Sequence, residues 1–132
     1  MTDKVFSISD LDVRSIANDG VEVEITNADG IGLGVYMTIL GEQSDVVEKF
    51  LIELSDKRAA EALRGRDKKT PTISAERALN DEIASAAVRV IGWRGLKEEF
   101  SKENLDKLLR SNRGIVRQII AASVDDSRFT KA

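Results

Sequence analysis

Histidine and cysteine are both absent from this 132-residue sequence, so acid-base chemistry near neutral pH would fall to carboxylates, lysines or a carboxylate-held metal. The absence excludes Ser-His-Asp and Cys-His nucleophiles, thiolate metal sites and a disulfide framework. The clearest carboxylate pairs are Glu98-Glu99 and Asp125-Asp126. A hard cation needs several oxygens converging in space, and adjacency in sequence does not supply that, so solvated or helix-end charge is the favoured reading. Gly30-Ile31-Gly32-Leu33-Gly34 superficially resembles a phosphate loop. Such loops join a strand to a helix N-terminus, whereas these glycines lie at a hairpin turn, where they suit a twist, a bulge or close packing.

Two further features can do chemistry of contact. Lys57, Arg58, Arg64, Arg66, Lys68 and Lys69 form a basic stretch without interleaved aromatics. Without stacking platforms it reads as a solvated face or a contact to an acidic protein surface before it reads as a nucleic-acid site. Trp93, the sole tryptophan, stands between Gly92 and Gly95, where it either locks the helical part or anchors a partner. Phe100 and Phe129 carry the same two readings.

The elements that must position these residues follow from periodicity. Val21, Val23 and Ile25 alternate with polar residues, Asn27-Ala28-Asp29-Gly30 supplies turn chemistry, and Ile31 to Ile39 resume the alternation, which predicts a β-hairpin. A helical turn is expected at Asp10–Ile16, before the Asn18-Asp19-Gly20 turn. From Asp45, with Ser44 as N-cap, Val47, Phe50, Leu51 and Leu54 follow helical spacing, and the buried stripe thins to Ala59 and Leu63. Thr70-Pro71 interrupts the pattern, so a hinge is expected near 65–73. Ser74 opens a second helix whose apolar stripe is Leu79, Ile83, Ala87, Val90 and Ile91, with Arg77, Glu82 and Arg89 solvated and Trp93 at its end. Ser101 caps a third helix with Leu105, Leu108 and Leu109, and a fourth buries Ile115, Val116, Ile119, Ile120 and Val124. The expected fold is α+β: one domain over 1–132, with a hairpin in 1–41 and about four helices in 42–132.

Composition agrees with that scale. Hydrophobic residues make up 42%, charged residues 33% and aromatic residues 5%, so one core of aliphatic side chains is expected. The net charge of −3 speaks against nucleic acid as primary partner. The N-terminus lacks the apolar run of a signal peptide and no stretch is long enough to span a bilayer, so a cytosolic protein is expected, with neither membrane nor cofactor among its partners.

The order of motifs resembles a known family. A Gly-rich second strand ends in Gly41-Glu42-Gln43-Ser44-Asp45, and a basic helix follows. Val90-Ile91-Gly92-Trp93-Arg94-Gly95-Leu96, Phe100-Ser101-Lys102-Glu103-Asn104 and a last helix closing at Asp126 and Phe129 come next. Together they resemble the tail assembly chaperones of long-tailed bacteriophages over nearly the whole chain. The resemblance implies a non-enzymatic protein that coats and solubilises the tape measure protein and recruits tail tube subunits. It further implies action in the cytoplasm of an infected or lysogenic bacterial host and absence from the mature virion. The alternatives are a structural virion protein of the tail or head-tail connector, and, less favoured, a hydrolase with a carboxylate-bound metal. Self-association is expected through the strand Gly32–Leu40, Val35 at its centre, because an unpaired strand edge can extend an array. Trp93, Phe100, Arg58, Arg64 and Arg66 are the other expected contact residues.

Overall fold

The computed structural model describes residues 5–65 and 74–131. Strands β1 (Val21–Thr26) and β2 (Gly32–Ile39) form the expected hairpin. Asn27 builds the turn: its side-chain oxygen accepts from the N–H of Asp29 at 2.9 Å and of Ile31 at 3.0 Å, and Gly30 supplies the positive φ of 81°. Pairing runs from Val21 opposite Ile39 to Ile25 opposite Val35, then slips so that Thr26 faces Gly32. Gly34, at φ 74°, absorbs the slip as a bulge and donates its N–H to Glu24. The glycine-rich run is therefore a hairpin device.

A third strand, β3 (Val90–Arg94), pairs antiparallel with β2 and gives the order β1-β2-β3. This corrects the expected second helix, which was to carry Val90 and Ile91 in its stripe and Trp93 at its end. The helix stops at Val88. Pairing with β2 satisfies the backbone of a β-branched, glycine-containing segment better than another helical turn would, and it buries Val90 against the core. The same pairing covers part of the strand expected to self-associate: Tyr36–Ile39 of β2 are paired with β3, and Val35 is half-buried against the core. Among the described residues, β1 and β3 are the outer strands. The β1 edge is already clamped at Thr26, whose N–H donates to the Gln118 side-chain oxygen at 2.9 Å while its carbonyl accepts from the Gln118 amide at 2.9 Å.

Among the described residues there are five α-helices: α1 (Arg14–Asp19), α2 (Asp45–Gly65), α3 (Ala75–Val88), α4 (Lys102–Ser111) and α5 (Arg113–Val124). The turn expected at Asp10–Ile16 is a 3-10 turn at Ile8–Leu11 followed by α1, and Gly20, at φ 83°, turns the chain into β1. The side chains of Ser74, Ser101 and Asn112 each accept from a backbone N–H of the first turn of α3, α4 and α5, and Ser44 does the same for α2. Helix α2 continues through Lys57 to Gly65, so the basic stretch is helical that far; the rest of the expected hinge lies outside the described residues. Among the described residues, no helix is long and apolar enough to cross a membrane.

The core lies between one face of the sheet and α3, α4 and α5. Ile25, Met37, Ile39 and Val90 from the sheet meet Ile83, Ala86, Leu105, Leu109, Val116 and Ile119 from the helices. The outer sheet face is polar: Arg94 reaches across β2 to both Glu22 oxygens, at 3.0 and 2.6 Å, and its guanidinium lies 3.9 Å over the Tyr36 ring. That contact holds the Glu22 carboxyl below its ordinary range. Helix α5 buries Ile115, Val116 and Ile119 as expected, with Ile120 half-buried, but Val124 is 45% exposed because the chain turns away after it.

Arg89 is the largest departure in burial. Expected in solvent, it is 2% exposed, with its guanidinium bonded to Ser123 Oγ at 2.9 Å, to the Ser85 carbonyl at 2.6 Å and to Glu42 at 3.3 Å. It joins α3, α5 and the segment before α2, and that position desolvates it and lowers its pKa against the pull of Glu42. The Ser123 hydroxyl passes the network on to the Leu40 carbonyl at 2.8 Å. Phe129 takes the packing reading: it is fully buried in the closing 3-10 turn Asp126–Phe129, against Gly41.

Candidate functional site

Ser101 starts α4 directly after Phe100. Its hydroxyl accepts from the Asn104 N–H at 3.1 Å, while the Asn104 amide holds the Glu99 carbonyl at 2.9 Å. Phe100 thus precedes the N-cap and Leu105 occupies the fourth helical position, the arrangement in which two apolar side chains staple the start of a helix. Trp93 fixes Phe100 from the other side, edge to face, with ring centroids 5.1 Å apart. The indole N–H donates to the Glu98 carbonyl at 2.9 Å, which folds the segment after β3 back onto the strand. That fold needs Gly95: φ is 92°, and a Cβ there would collide with the Gly34 carbonyl oxygen.

Phe100 and Leu105 form one wall of an apolar groove of about 640 Å³. Ala84, Ala87 and Val88 of α3 supply the second wall, Val90 and Ile91 of β3 its end, and Val46 of α2 its far rim. The small side chains of α3 leave the space, and a bulge opens it further. Gly92 faces Thr38 and Val90 faces Ile39, so Ile91 has no partner across the ladder and turns outward, 49% exposed. Lys102 and Asp106, one turn apart on α4, are the charged groups at the rim. A groove so lined binds by excluding water from apolar side chains, with the two rim charges orienting what enters. On the other side of Trp93 a smaller cleft of about 210 Å³ is lined by Leu96, Asn104, Lys107 and Leu108.

The structure therefore brings Trp93 and Phe100 together, with Phe100 in the groove and Trp93 behind it as its support. The remaining expected contact residues lie elsewhere. Arg58 grips Asp81 of α3 with two nitrogens, one at 2.6 Å, and Glu61 of its own helix at 2.7 Å. Arg77 of α3 closes the network by bonding Glu61. The hydrogen bond that Arg58 donates to Asp81 raises the Arg58 pKa despite its partial desolvation, and the same bond holds Asp81 below its ordinary range. For Glu61 burial pushes the pKa up, but Arg58 and Arg77 outweigh it and the net shift is downward. Arg58 is thus a tie between α2 and α3 in place of a free contact residue. Arg64 is exposed near the end of α2, and Arg66 lies outside the described residues. Sequence reasoning missed Ile91 and Val46 as groove residues. The Phe100-Ser101 and Leu105 spacing was the signal available for the stapled wall.

Among the described residues, no group of three or more Asp, Glu, His or Cys side chains is placed to hold a metal ion. Asp125 caps the last 3-10 turn by accepting from Ser127, and Asp126 accepts from the Gln43 amide at 3.0 Å, so both members of that acidic pair are tied into local structure. Comparison with family models, with curated proteins and with solved structures finds no match to the chain.

Proposed function

We propose that this protein is a phage tail assembly chaperone that binds apolar segments of the tape measure protein, keeps them soluble, and helps recruit tail tube subunits. The observation that carries the reading is the stapled groove of Phe100, Leu105, Ile91 and the small α3 residues, open to solvent and about 640 Å³ in volume. The motif order from Gly41 to Phe129 supplies the family resemblance. A tape measure protein exposes long apolar helical faces until the tail tube encloses it, and an apolar groove with a sparse charged rim suits one such face. Binding of this kind makes and breaks no covalent bond and is reversible, so the chaperone leaves as the tube closes. Its place of action is the cytoplasm of the bacterial host.

The test is co-expression with the tape measure protein of the same genome. The wild-type chain is expected to move that protein into the soluble fraction, and Ile91→Asp, at an exposed position, is expected to lose this effect while keeping its circular dichroism spectrum. No rescue by the wild type would overturn the chaperone reading, and full rescue by Ile91→Asp would overturn the groove. Mass spectrometry of purified particles separates the structural-protein alternative: abundant copies of the chain in virions would favour it.

A further inference from the structure

Helix α2 carries apolar side chains on two opposite faces, and the described residues cover only one of them. Val47 is buried and Phe50, Leu54 and Arg58 are half-buried on the face that packs toward α3. Ile52, Ala59 and Leu63, at i, i+7 and i+11, share the other face, and all three are exposed, Ile52 by 55% and Leu63 by 62%. This corrects the sequence expectation that Ala59 and Leu63 prolong the buried stripe: beyond Leu54 the inner face is continued by the ionic ties of Arg58 and Glu61, and the apolar residues point away.

The outer face also carries a cleft of about 510 Å³ beside the N-terminal half of α2. Leu51, Ile52 and Ser55 form its floor, and the carboxylates of Glu42, Glu48 and Asp56 stand around it. Glu48 is paired with Arg14 at 2.9 Å and Glu42 with Arg89 at 3.3 Å, whereas no ion pair is made by Asp56 among the described residues. An apolar floor within an acidic rim fits an apolar side chain that is followed by a cation. The C-terminal end of α2 presents that combination in Leu63, on this face, and Arg64, which flanks it.

We propose that two copies of this chain associate through the outer faces of α2, antiparallel about a two-fold axis, with Leu63 of each copy seated on Ile52 of the other. In this register Ala59 lies against Ser55 and Asp56 of the second copy, where its small side chain lets the helices approach closely. Arg64 meets the acidic rim of the facing cleft. The arrangement is self-complementary, as a two-fold contact must be, because floor and plug lie at opposite ends of one helix face. It uses none of Phe100, Leu105 or Ile91 and does not depend on what their groove binds.

The absence of native cysteine makes the register directly testable. Positions 52 and 63 of one helix are roughly 16 Å apart at 1.5 Å per residue, too far for a disulfide within a chain. The Ile52→Cys/Leu63→Cys double variant, oxidised under mild conditions, is therefore expected to give a covalent dimer. Either single variant is expected to give little. Sedimentation of the wild-type chain is expected to show a dimer that Leu63→Glu and Ile52→Glu each convert to monomer without loss of helical signal. A wild-type monomer at all concentrations, a dimer insensitive to both glutamate variants, or cross-linking in the single variants with none gained in the double would each overturn the proposal.

Discussion

Replacing Phe129 by alanine tests whether the polar-looking C-terminal tail is part of the core. The ring is fully buried in the last 3-10 turn, and Gly41 is kept free of a side chain at that spot: a Cβ there would stand 2.6 Å from the Ala17 Cβ and 3.2 Å from the Phe129 ring. The surrounding backbone is tied in place by the Gly41 N–H bonded to the Ala17 carbonyl at 3.1 Å and the Glu42 N–H bonded to the Ser123 carbonyl at 2.9 Å. A site so fixed collapses little when the ring is removed, so both the lost transfer energy and the cavity remain, together about 3–5 kcal/mol. For a chain of this length that corresponds to a fall in Tm of about 10–20 °C. Urea unfolding followed by the fluorescence of Trp93, which packs against the main core, reads the change as a lower midpoint at unchanged slope. Gly41→Ala is expected to destabilise from the other side of the same contact. Its effect should be only partly relieved in the Phe129→Ala background, because the closer contact with the Ala17 Cβ remains. A loss below about 1 kcal/mol for Phe129→Ala would refute the reasoning and make the tail peripheral.

Gly95→Ala forces a side chain onto a residue at φ 92° facing the Gly34 carbonyl; a loss of about 1–3 kcal/mol is expected, with a changed near-ultraviolet signal from Trp93, and an unchanged spectrum and midpoint would count against its role in folding the segment back. Asp81 and Glu61 both have folded pKa values held below the ordinary carboxylate range, so their contribution is complete above the unfolded values near pH 4 and is lost as pH falls through the folded ones. The stability difference between wild type and Asp81→Asn, measured by urea midpoints, should therefore be largest at neutral pH and shrink toward pH 2; a difference independent of pH would contradict the ionic tie. Arg89→Met removes the donors that Ser85 and Ser123 face in the interior, and a loss of at least about 2 kcal/mol is expected; stability within about 0.5 kcal/mol of wild type would show that the network is dispensable.

Short-range physics made much of this protein legible in its sequence. Alternation at Val21–Ile25 and the Asn27–Gly30 turn specify a hairpin whatever surrounds it. Ser44, Ser74 and Ser101 begin helices because each side chain satisfies an N–H group a turn away. The fate of Val90-Ile91 depended on β2, some fifty residues earlier, offering an open edge, a contact no local window contains. The same distance dependence hid Arg89, whose serine and glutamate partners come from three parts of the chain, and made Arg58 a clamp by bringing Asp81 within reach. The groove is likewise tertiary: its stapled wall can be read from Phe100, Ser101 and Leu105, but its depth comes from the small residues of α3 and its open end from a bulge at Ile91. Sequence alone decided the hairpin and where the helices begin, because those choices are settled by neighbours within a turn or two. The tertiary structure decided which side chains are buried, paired or left open, because burial and charge pairing depend on groups that only folding brings together.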